Sequence, residues 1–438
     1  MSELKEVLLK KIENKTAKLG VVGLGYVGLP LAVEKAKAGF DVIGFDVQEE
    51  KVNLVNEGKN YIGDIIDSDL NKLVSEGKLK ATTDFSFVSE VDAIAIAVPT
   101  PLDKFKQPDV SYVRKSTEDI SKYLHKGMLV VLESTTYPGT TEEIVKPILE
   151  QSGLKCGVDF FLAFSPERVD PGNKQFKTKN TPKVVGGCTE ECTEIAATLY
   201  KSVLEGDVFT VSSPAVAEME KILENTFRHI NIGLVNEMAI LCKKMGIDIW
   251  EVIEAAKTKP YGFMPFYPGP GLGGHCIPLD PFYLTYKARE YDYHTRLIET
   301  AGEINDCMPE FVVDNAMKLL NGHKKSLNGA KVALLGVAYK KDIDDMRESP
   351  ALKVIENLEK AGADVIVNDP YVPTFKHNGK VYTSVDYKEA INEADIVIIT
   401  TDHSDYDYEF VVENAELLYD TRNATKNVVK NREKINKL

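Results

Sequence analysis

Cys276 and Asp280 stand four residues apart in Gly273-Gly274-His275-Cys276-Ile277-Pro278-Leu279-Asp280, a thiol and a carboxylate behind a glycine pair. A thiolate is a strong nucleophile and a neighbouring carboxylate moves protons, so the segment reads as a candidate covalent site. A second chemical set opens the chain. Gly23-Leu24-Gly25-Tyr26-Val27-Gly28 has the spacing of a dinucleotide fingerprint. Gly23 allows a tight turn, Gly25 lets backbone approach a pyrophosphate, and Gly28 permits close helix–strand packing, with Tyr26 and Val27 completing the loop. Asp46 ends the next apolar run, eighteen residues past Gly28. A carboxylate there accepts hydrogen bonds from an adenosine ribose and repels a 2′-phosphate, which favours NAD over NADP.

These residues need elements to hold them. Over the first ~200 residues apolar runs alternate with helical stretches, as a doubly wound sheet requires. Ala93-Ile94-Ala95-Ile96-Ala97-Val98 stops at Pro99-Thr100-Pro101, and Met128-Leu129-Val130-Val131-Leu132-Glu133 runs into Ser134-Thr135-Thr136. Ligands gather at the carboxyl ends of strands, which places Thr100 and Thr135 against cofactor or substrate unless they only cap turns. Phe160-Phe161-Leu162-Ala163-Phe164 leads in the same way to Ser165-Pro166-Glu167-Arg168.

From Pro214 the apolar period changes. Val216, Met219, Leu223, Phe227, Ile230, Leu234, Met238 and Leu241 predict one long amphipathic helix ending near Gly246. Lys221, Asn225 and Arg228 cluster opposite this stripe, and Ile232, Val235 and Ala239 continue their face as apolar. The helix therefore reads as buried on several sides, at a domain junction or a subunit interface, and as the seat of at least a homodimer. Lys221 and Asn225, once buried, need partners, which a ligand in a cleft could supply.

Residues 257–281 are dense in Pro, Gly and aromatics and predict an ordered irregular loop. Phe263, Phe266 and Tyr267 either stack on a base or ring there or pack beneath the loop. After a helical stretch near 296–320, Lys331-Val332-Ala333-Leu334-Leu335-Gly336, Ala363-Asp364-Val365-Ile366-Val367 and Asp395-Ile396-Val397-Ile398-Ile399 predict a second parallel α/β region. The expected fold is α/β, with two Rossmann-like doubly wound domains joined by a central helical region. Its expected divisions are residues 1–210, 211–320 and 321–438.

Composition narrows the partners. The 53 Lys+Arg against 67 Asp+Glu give a net charge of −14. That balance repels nucleic acid and anionic membrane, so any phosphate site must be local. No long apolar run reads as a membrane span, residues 1–10 are too charged for a signal peptide, and the expected location is the cytoplasm. The six cysteines, at 156, 188, 192, 242, 276 and 307, are scattered, and Cys188-x-x-x-Cys192 has no second pair at ligand spacing. Reduced thiols and no metal are expected.

Six ordered pieces carry a resemblance. They are Gly23-Leu24-Gly25-Tyr26-Val27-Gly28-Leu29-Pro30, Ser134-Thr135, Ser165-Pro166-Glu167, Lys221-x-x-x-Asn225, Gly273-Gly274-His275-Cys276, and Tyr339-Lys340-Lys341-Asp342 with Met346-Arg347-Glu348-Ser349. In these the chain resembles the UDP-glucose/GDP-mannose dehydrogenase family over nearly its whole length. The resemblance implies oxidation of the C6 alcohol of a nucleotide sugar to a carboxylate, with two NAD reduced and no metal. It implies that Cys276 traps the C6 aldehyde as a thiohemiacetal, which a second hydride transfer converts to a thioester for water to hydrolyse. Lys221 and Asn225 are implied to hold the oxyanion, Asp280 and Glu167 to share acid–base work, and Thr135 to place a water. Lys340 is implied at the nucleotide diphosphate and Arg347 at the substrate, with Glu167, Arg168 and Gly273 also lining it, and Phe266 and Tyr267 are expected to join them on the stacking reading of their loop.

Leu279 and His275-Cys276-Ile277-Pro278 resemble the branch acting on N-acetylated sugars, and Ser165-Pro166-Glu167-Arg168-Val169-Asp170-Pro171-Gly172 the enzymes that oxidise UDP-N-acetylglucosamine. The expected substrate is UDP-GlcNAc, with UDP-ManNAc, UDP-GalNAc and UDP-glucose behind it. Two other classes share parts of the pattern. A two-electron β-hydroxyacid dehydrogenase uses the fingerprint and Lys-x-x-x-Asn but needs neither Cys276 nor a second α/β region. A cofactor-sensing binding protein needs none of Cys276, Lys221 and Asp280.

Overall fold

The computed structural model describes residues 3–63, 65–170, 172–173 and 175–438. Pro171, part of the Ser165–Gly172 segment, lies outside them. The chain forms two compact units, Met1–Glu224 with Phe282–Tyr293, and Asn225–Pro281 with His294–Leu438.

In the first unit, alternation along each apolar run sends successive side chains to opposite faces of a sheet. Leu19, Val21, Ala93, Ala95, Leu129 and Val131 enter one buried cluster. Val22, Ile94, Ile96, Val130 and Leu132 enter another. Both faces are covered at the centre of the sheet, so Ala93–Ile96, Leu129–Leu132 and Phe161–Phe164 are apolar and buried along their whole length. The strands are β1 (Lys18–Val22), β2 (Asp41–Phe45), β3 (Leu79–Thr82), β4 (Ala93–Ile96), β5 (Leu129–Leu132), β6 (Phe161–Phe164), β7 (Lys183–Gly187) and β8 (Val208–Val211). Their order is β3-β2-β1-β4-β5-β6-β7-β8, parallel except for the β6–β7 pair. The order reverses between β1 and β4, and ligands bind at the strand ends beside such a reversal.

The second unit repeats the scheme on a smaller scale. Its sheet has the order β10-β9-β13-β14-β15, from β9 (Lys331–Leu335), β10 (Asp364–Asn368), β13 (Ile396–Ile399), β14 (Leu418–Asp420) and β15 (Ile435–Lys437). A hairpin of β11 (Thr374–His377) and β12 (Lys380–Thr383) is separate from it. The helix Arg296–Gly322 packs Met308, Val312, Ala316 and Leu320 against this sheet's core.

The long helix runs from Pro214 to Met245. Its outward face is the apolar stripe of a helix that sequence assigns to a domain junction or a subunit interface. Val216, Met219, Leu223, Phe227, Leu234 and Leu241 are exposed in the single chain, while Lys221, Asn225, His229 and Asn236 are buried. Arg228, expected on the covered face, is also exposed. Periodicity reveals an apolar stripe but not what will cover it. Here the chain's own packing uses the face with small residues, where Gly233 is close enough that a Cβ would sit 2.9 Å from the Ala301 Cβ.

Candidate functional site

The turn after β1 is built around its three glycines, each for a different reason. Gly23 has a φ of +89°, and a Cβ on it would meet the Ala97 carbonyl oxygen at 2.6 Å. A Cβ on Gly28 would lie 1.7 Å from the Gly23 oxygen, so the Gly28–Lys37 helix can start where it does only without a side chain. Around Gly25 a Cβ would meet no protein atom within 4 Å. The fold itself does not need glycine there, whereas a diphosphate resting on the backbone does. The helix that follows has no side-chain N-cap, and its Leu29 and Leu31 amides are bonded to the Gly25 and Val27 carbonyls, so a ligand would meet the backbone of the turn itself. Tyr26 is 47% exposed at the turn.

Asp46, just past β2, is buried. Its Oδ2 accepts the Leu24 amide at 2.8 Å and its Oδ1 the Gln48 amide at 2.9 Å. Each carboxylate oxygen retains a lone pair, so the residue can brace the glycine turn and still receive a ribose hydroxyl. Diphosphate cradle and ribose acceptor together fit NAD.

Thr100 and Thr135 are linked. The Thr100 hydroxyl donates to the Thr135 carbonyl at 2.7 Å, and the Tyr283 hydroxyl donates to the Thr100 carbonyl. Glu218, on the long helix, receives the amides of Gly139 and Thr141, which fixes the far end of the same loop. Burial pushes its carboxyl up to about 7 against those hydrogen bonds.

Glu167 sits past β6. Its Oε1 accepts the amides of Arg168 at 2.8 Å and Val169 at 3.0 Å, and its Oε2 lies 3.3 Å from the Lys183 ammonium. Burial alone would raise its carboxyl, but Lys183 and the two amides outweigh burial and hold it below the usual range. Glu167 is therefore a carboxylate at neutral pH, suited to a base. The Arg168 guanidinium turns onto Glu224, with Glu220 at 3.5 Å, and also donates to the Pro182 carbonyl. Burial, then Glu224, pushes the Glu220 carboxyl up to about 7.

Lys221 and Asn225 lie one turn apart on the buried face of the long helix. Within the second unit that face acts as a ruler for the cysteine loop. Asn225 donates to Asp280 Oδ2 at 2.6 Å, and His229 Nδ1 lies 3.2 Å from the Ile277 carbonyl oxygen. Asn236 bonds Asn305 at 2.9 Å and accepts the Gly269 amide at 3.0 Å. The Cys276 carbonyl accepts the Asp280 amide at 2.9 Å as the helix Asp280–Ala288 begins. Cys276 is exposed and Asp280 is buried. Cys276 thus lies one turn ahead of that helix, tied to its first residue through the backbone.

The glycine pair has a steric cause that spacing alone does not reveal. A Cβ on Gly273 would lie 2.5 Å from the Tyr339 Cβ, and one on Gly274 would lie 2.8 Å from the Tyr339 ring. The Gly274 amide donates to the Arg347 carbonyl at 3.0 Å. The cysteine loop is thereby seated directly on the 339–350 segment, which carries Lys340 and Arg347. Arg347 is paired with Asp345, Nη2 to Oδ2 at 2.6 Å. Desolvation of its charged form, and then the Arg347 charge, hold the His275 imidazole below its usual range.

Two of the loop's aromatic rings make packing contacts, one of the two readings that sequence offered for them. Phe266 meets Phe227 edge-on at 5.7 Å, and Tyr267 stacks on Trp250 at 6.0 Å while donating to Glu254 at 2.7 Å. Sequence reasoning missed His229, Asn236, Tyr283 and Lys183. For His229 a signal was present, because it continues the four-residue spacing of Lys221 and Asn225 along one helix face. In the second sheet Asp369 occupies the position that Asp46 holds in the first, but its oxygens take four backbone amides and His403 Nε2. A nucleotide ribose is not its partner. Among the described residues no cluster of three metal-ligating side chains occurs, and no helix is long and apolar enough to cross a membrane.

These features coincide with known proteins along most of the chain. The NAD binding domain of the UDP-glucose/GDP-mannose dehydrogenase family matches residues 17–204, the family's central domain 215–307 and its UDP binding domain 333–427. The chain belongs to this family. It is an NAD-dependent nucleotide-sugar dehydrogenase. It is 40% identical to a UDP-N-acetyl-D-glucosamine 6-dehydrogenase of Pseudomonas aeruginosa, over 82% of this chain and 84% of that one. The solved UDP-D-ManNAc dehydrogenase of Pyrococcus horikoshii is similar with a TM-score of 0.85 at 35% identity, covering 93% and 96% of the two chains. An NDP-N-acetyl-D-galactosaminuronic acid dehydrogenase structure from Methanosarcina mazei Go1 aligns with a TM-score of 0.83 at 33% identity, covering 100% and 97%.

Proposed function

We propose that the protein oxidises the C6 alcohol of UDP-N-acetylglucosamine to the carboxylate in two successive two-electron steps, through a covalent link to Cys276. The observation that supports this reading is the Asn225–Asp280 bond at the head of the helix Asp280–Ala288, whose first amide is bonded to the Cys276 carbonyl. NAD, when bound, accepts a hydride in each step. The chain's own residues do the rest. Cys276, as thiolate, adds to the C6 aldehyde left by the first oxidation. Lys221 and Asn225 stabilise the oxygen that becomes negative, where losing one donor costs about 10²–10³ in rate. The second oxidation leaves a thioester. Water then attacks its carbonyl, Glu167 takes the proton, Thr135 helps to place the water, and the thiolate departs. Asp280 moves protons during the oxidations. Lys340, Arg347 and Arg168 are assigned to the substrate.

The N-acetylated sugar is supported by Leu279 before Asp280 and by likeness to the Pseudomonas aeruginosa enzyme. UDP-ManNAc is the second reading, favoured by likeness to the Pyrococcus horikoshii enzyme. We assign cofactor binding, the central helical part and UDP-sugar binding to residues 1–210, 211–320 and 321–438. Action as a homodimer, in the cytoplasm, completes the reading.

A panel of UDP-sugars assayed by NADH release tests it. UDP-GlcNAc should give the highest kcat/KM and two NADH per sugar. One NADH per sugar with a stable carbonyl product would refute the four-electron reaction. Cys276→Ser should abolish acid formation while NAD binding survives; full activity would refute the covalent route.

A further inference from the structure

Behind Glu167 lies a buried charge cluster with no part in the chemistry above. Lys183 at the start of β7 donates to Glu133 Oε2 at 2.7 Å as well as facing Glu167. Glu133, just past β5, accepts the Tyr200 hydroxyl on its other oxygen. Lys35, on the helix after the glycine turn, completes the set with its ammonium 5.9 Å from the Tyr200 ring. Lys35, Glu133, Lys183 and Tyr200 are all at most 4% exposed. From its own loop Glu167 faces Arg168, whose guanidinium is bonded to Glu224 and lies near Glu220. Lys183 is thus the cation in contact with Glu167 among the described residues.

Buried ion pairs add little to stability relative to apolar packing, so folding alone does not account for two lysines and two glutamates enclosed together. Loss of any one charge would leave the others uncompensated. We propose that Lys183, braced by Glu133 and Tyr200, is a positioning residue that fixes Glu167 in one orientation and in its anionic form, making Glu167 a base. This rests on the reading of Glu167 as the base of thioester hydrolysis. In that step the water oxygen bonds to the thioester carbonyl carbon as a water proton passes to Glu167. The C–S bond breaks, and its electron pair leaves with the Cys276 sulfur. A carboxylate facing Lys183 then gives up the proton readily and is ready for the next turnover.

The test combines a direct titration of Glu167 with the pH profile of kcat. The carboxyl carbon resonance of Glu167, assigned by its loss in Glu167→Gln, is followed in wild type, Lys183→Met, Lys183→Arg and Glu133→Gln. An opposite charge within ~4–6 Å lowers a carboxyl by roughly 1–3 units, so Lys183→Met should raise the Glu167 midpoint by roughly 1–3 pH units. The acidic limb of kcat should rise by the same interval, and Lys183→Arg should restore both. Glu133→Gln should move the midpoint the other way, and it supplies the test if Lys183→Met does not fold. The same midpoint in every variant overturns the positioning role. A displaced midpoint with an unmoved limb of kcat supports that role and instead overturns the reading of Glu167 as the base.

Discussion

Gly25→Ala separates what the fold needs from what the cofactor needs. A methyl at Gly25 meets no protein atom within 4 Å, and its φ lies outside the left-handed region. The chain therefore gains ~0.4–1 kcal/mol from the stiffer unfolded state, with no strain to offset it. At Gly28 the same methyl falls 1.7 Å from the Gly23 carbonyl oxygen, and the turn has to open. Overpacking of this kind costs about 1–3 kcal/mol. Calorimetry should find Gly25→Ala melting at or slightly above wild type and Gly28→Ala several degrees below. Binding should run the other way for Gly25. A methyl in the path of the diphosphate holds it off the backbone amides of the turn, and one hydrogen bond to a charged group is worth ~1.5–3 kcal/mol. The Kd for NAD, read by fluorescence titration, should weaken about 10- to 100-fold. A Gly25→Ala protein that binds NAD as wild type does, or that melts well below it, would refute the assignment of that open space to the diphosphate.

Asp46→Arg should lower NAD affinity and raise the NADP/NAD ratio of kcat/KM, and an unchanged NAD affinity would discard Asp46 as the ribose acceptor. The exposed stripe of the long helix, with Leu223 at 60% and Leu234 at 51% exposure, should lie in a homodimer interface. Light scattering should show a wild-type dimer and a smaller species for Leu223→Glu with Leu234→Glu; a wild-type monomer at working concentration would contradict this. Glu220 is pushed from 4.5 to about 7 by burial and Glu224. Between those values the folded state binds the extra proton, so stability falls as pH rises across that interval. Glu220→Gln should flatten the dependence of Tm on pH there, and an unchanged slope would show that another group carries it.

Much of the fold follows from short-range pattern. Alternation within Leu19–Val22 or Val130–Leu132 divides side chains between two buried clusters, so the strands and their helices are legible from composition and period. The fingerprint is legible for the same reason, since Gly23, Gly25 and Gly28 act within one turn. What was not legible depends on residues far apart in sequence. Lys183 and Glu133 are fifty residues apart, and no local period links them. Tyr267 finds Trp250 and Glu254, and Gly273 finds Tyr339, only once the chain has folded back.

The long helix carries two faces with different partners. Its apolar stripe, read from sequence as part of a helix at a domain junction or a subunit interface, is exposed in the single chain. Its other face is polar at Asn225, His229 and Asn236, yet the side chain of each finds a partner 33 to 69 residues away. One rod thus carries a polar face bonded within the chain and an apolar face left exposed. The inner face sets the cysteine loop, and the outer face is the one proposed to meet a second copy. Substitutions should divide accordingly. Asn225→Ala, one turn from Lys221, should lower kcat without changing the association state, because it removes the donor to Asp280 and touches nothing on the stripe. Leu223→Glu should change association first. If Asn225→Ala dissociated the assembly, or if Leu223→Glu lowered kcat in a protein that remained dimeric, the two faces would not be separate devices, and the helix would have to be read as one coupled element.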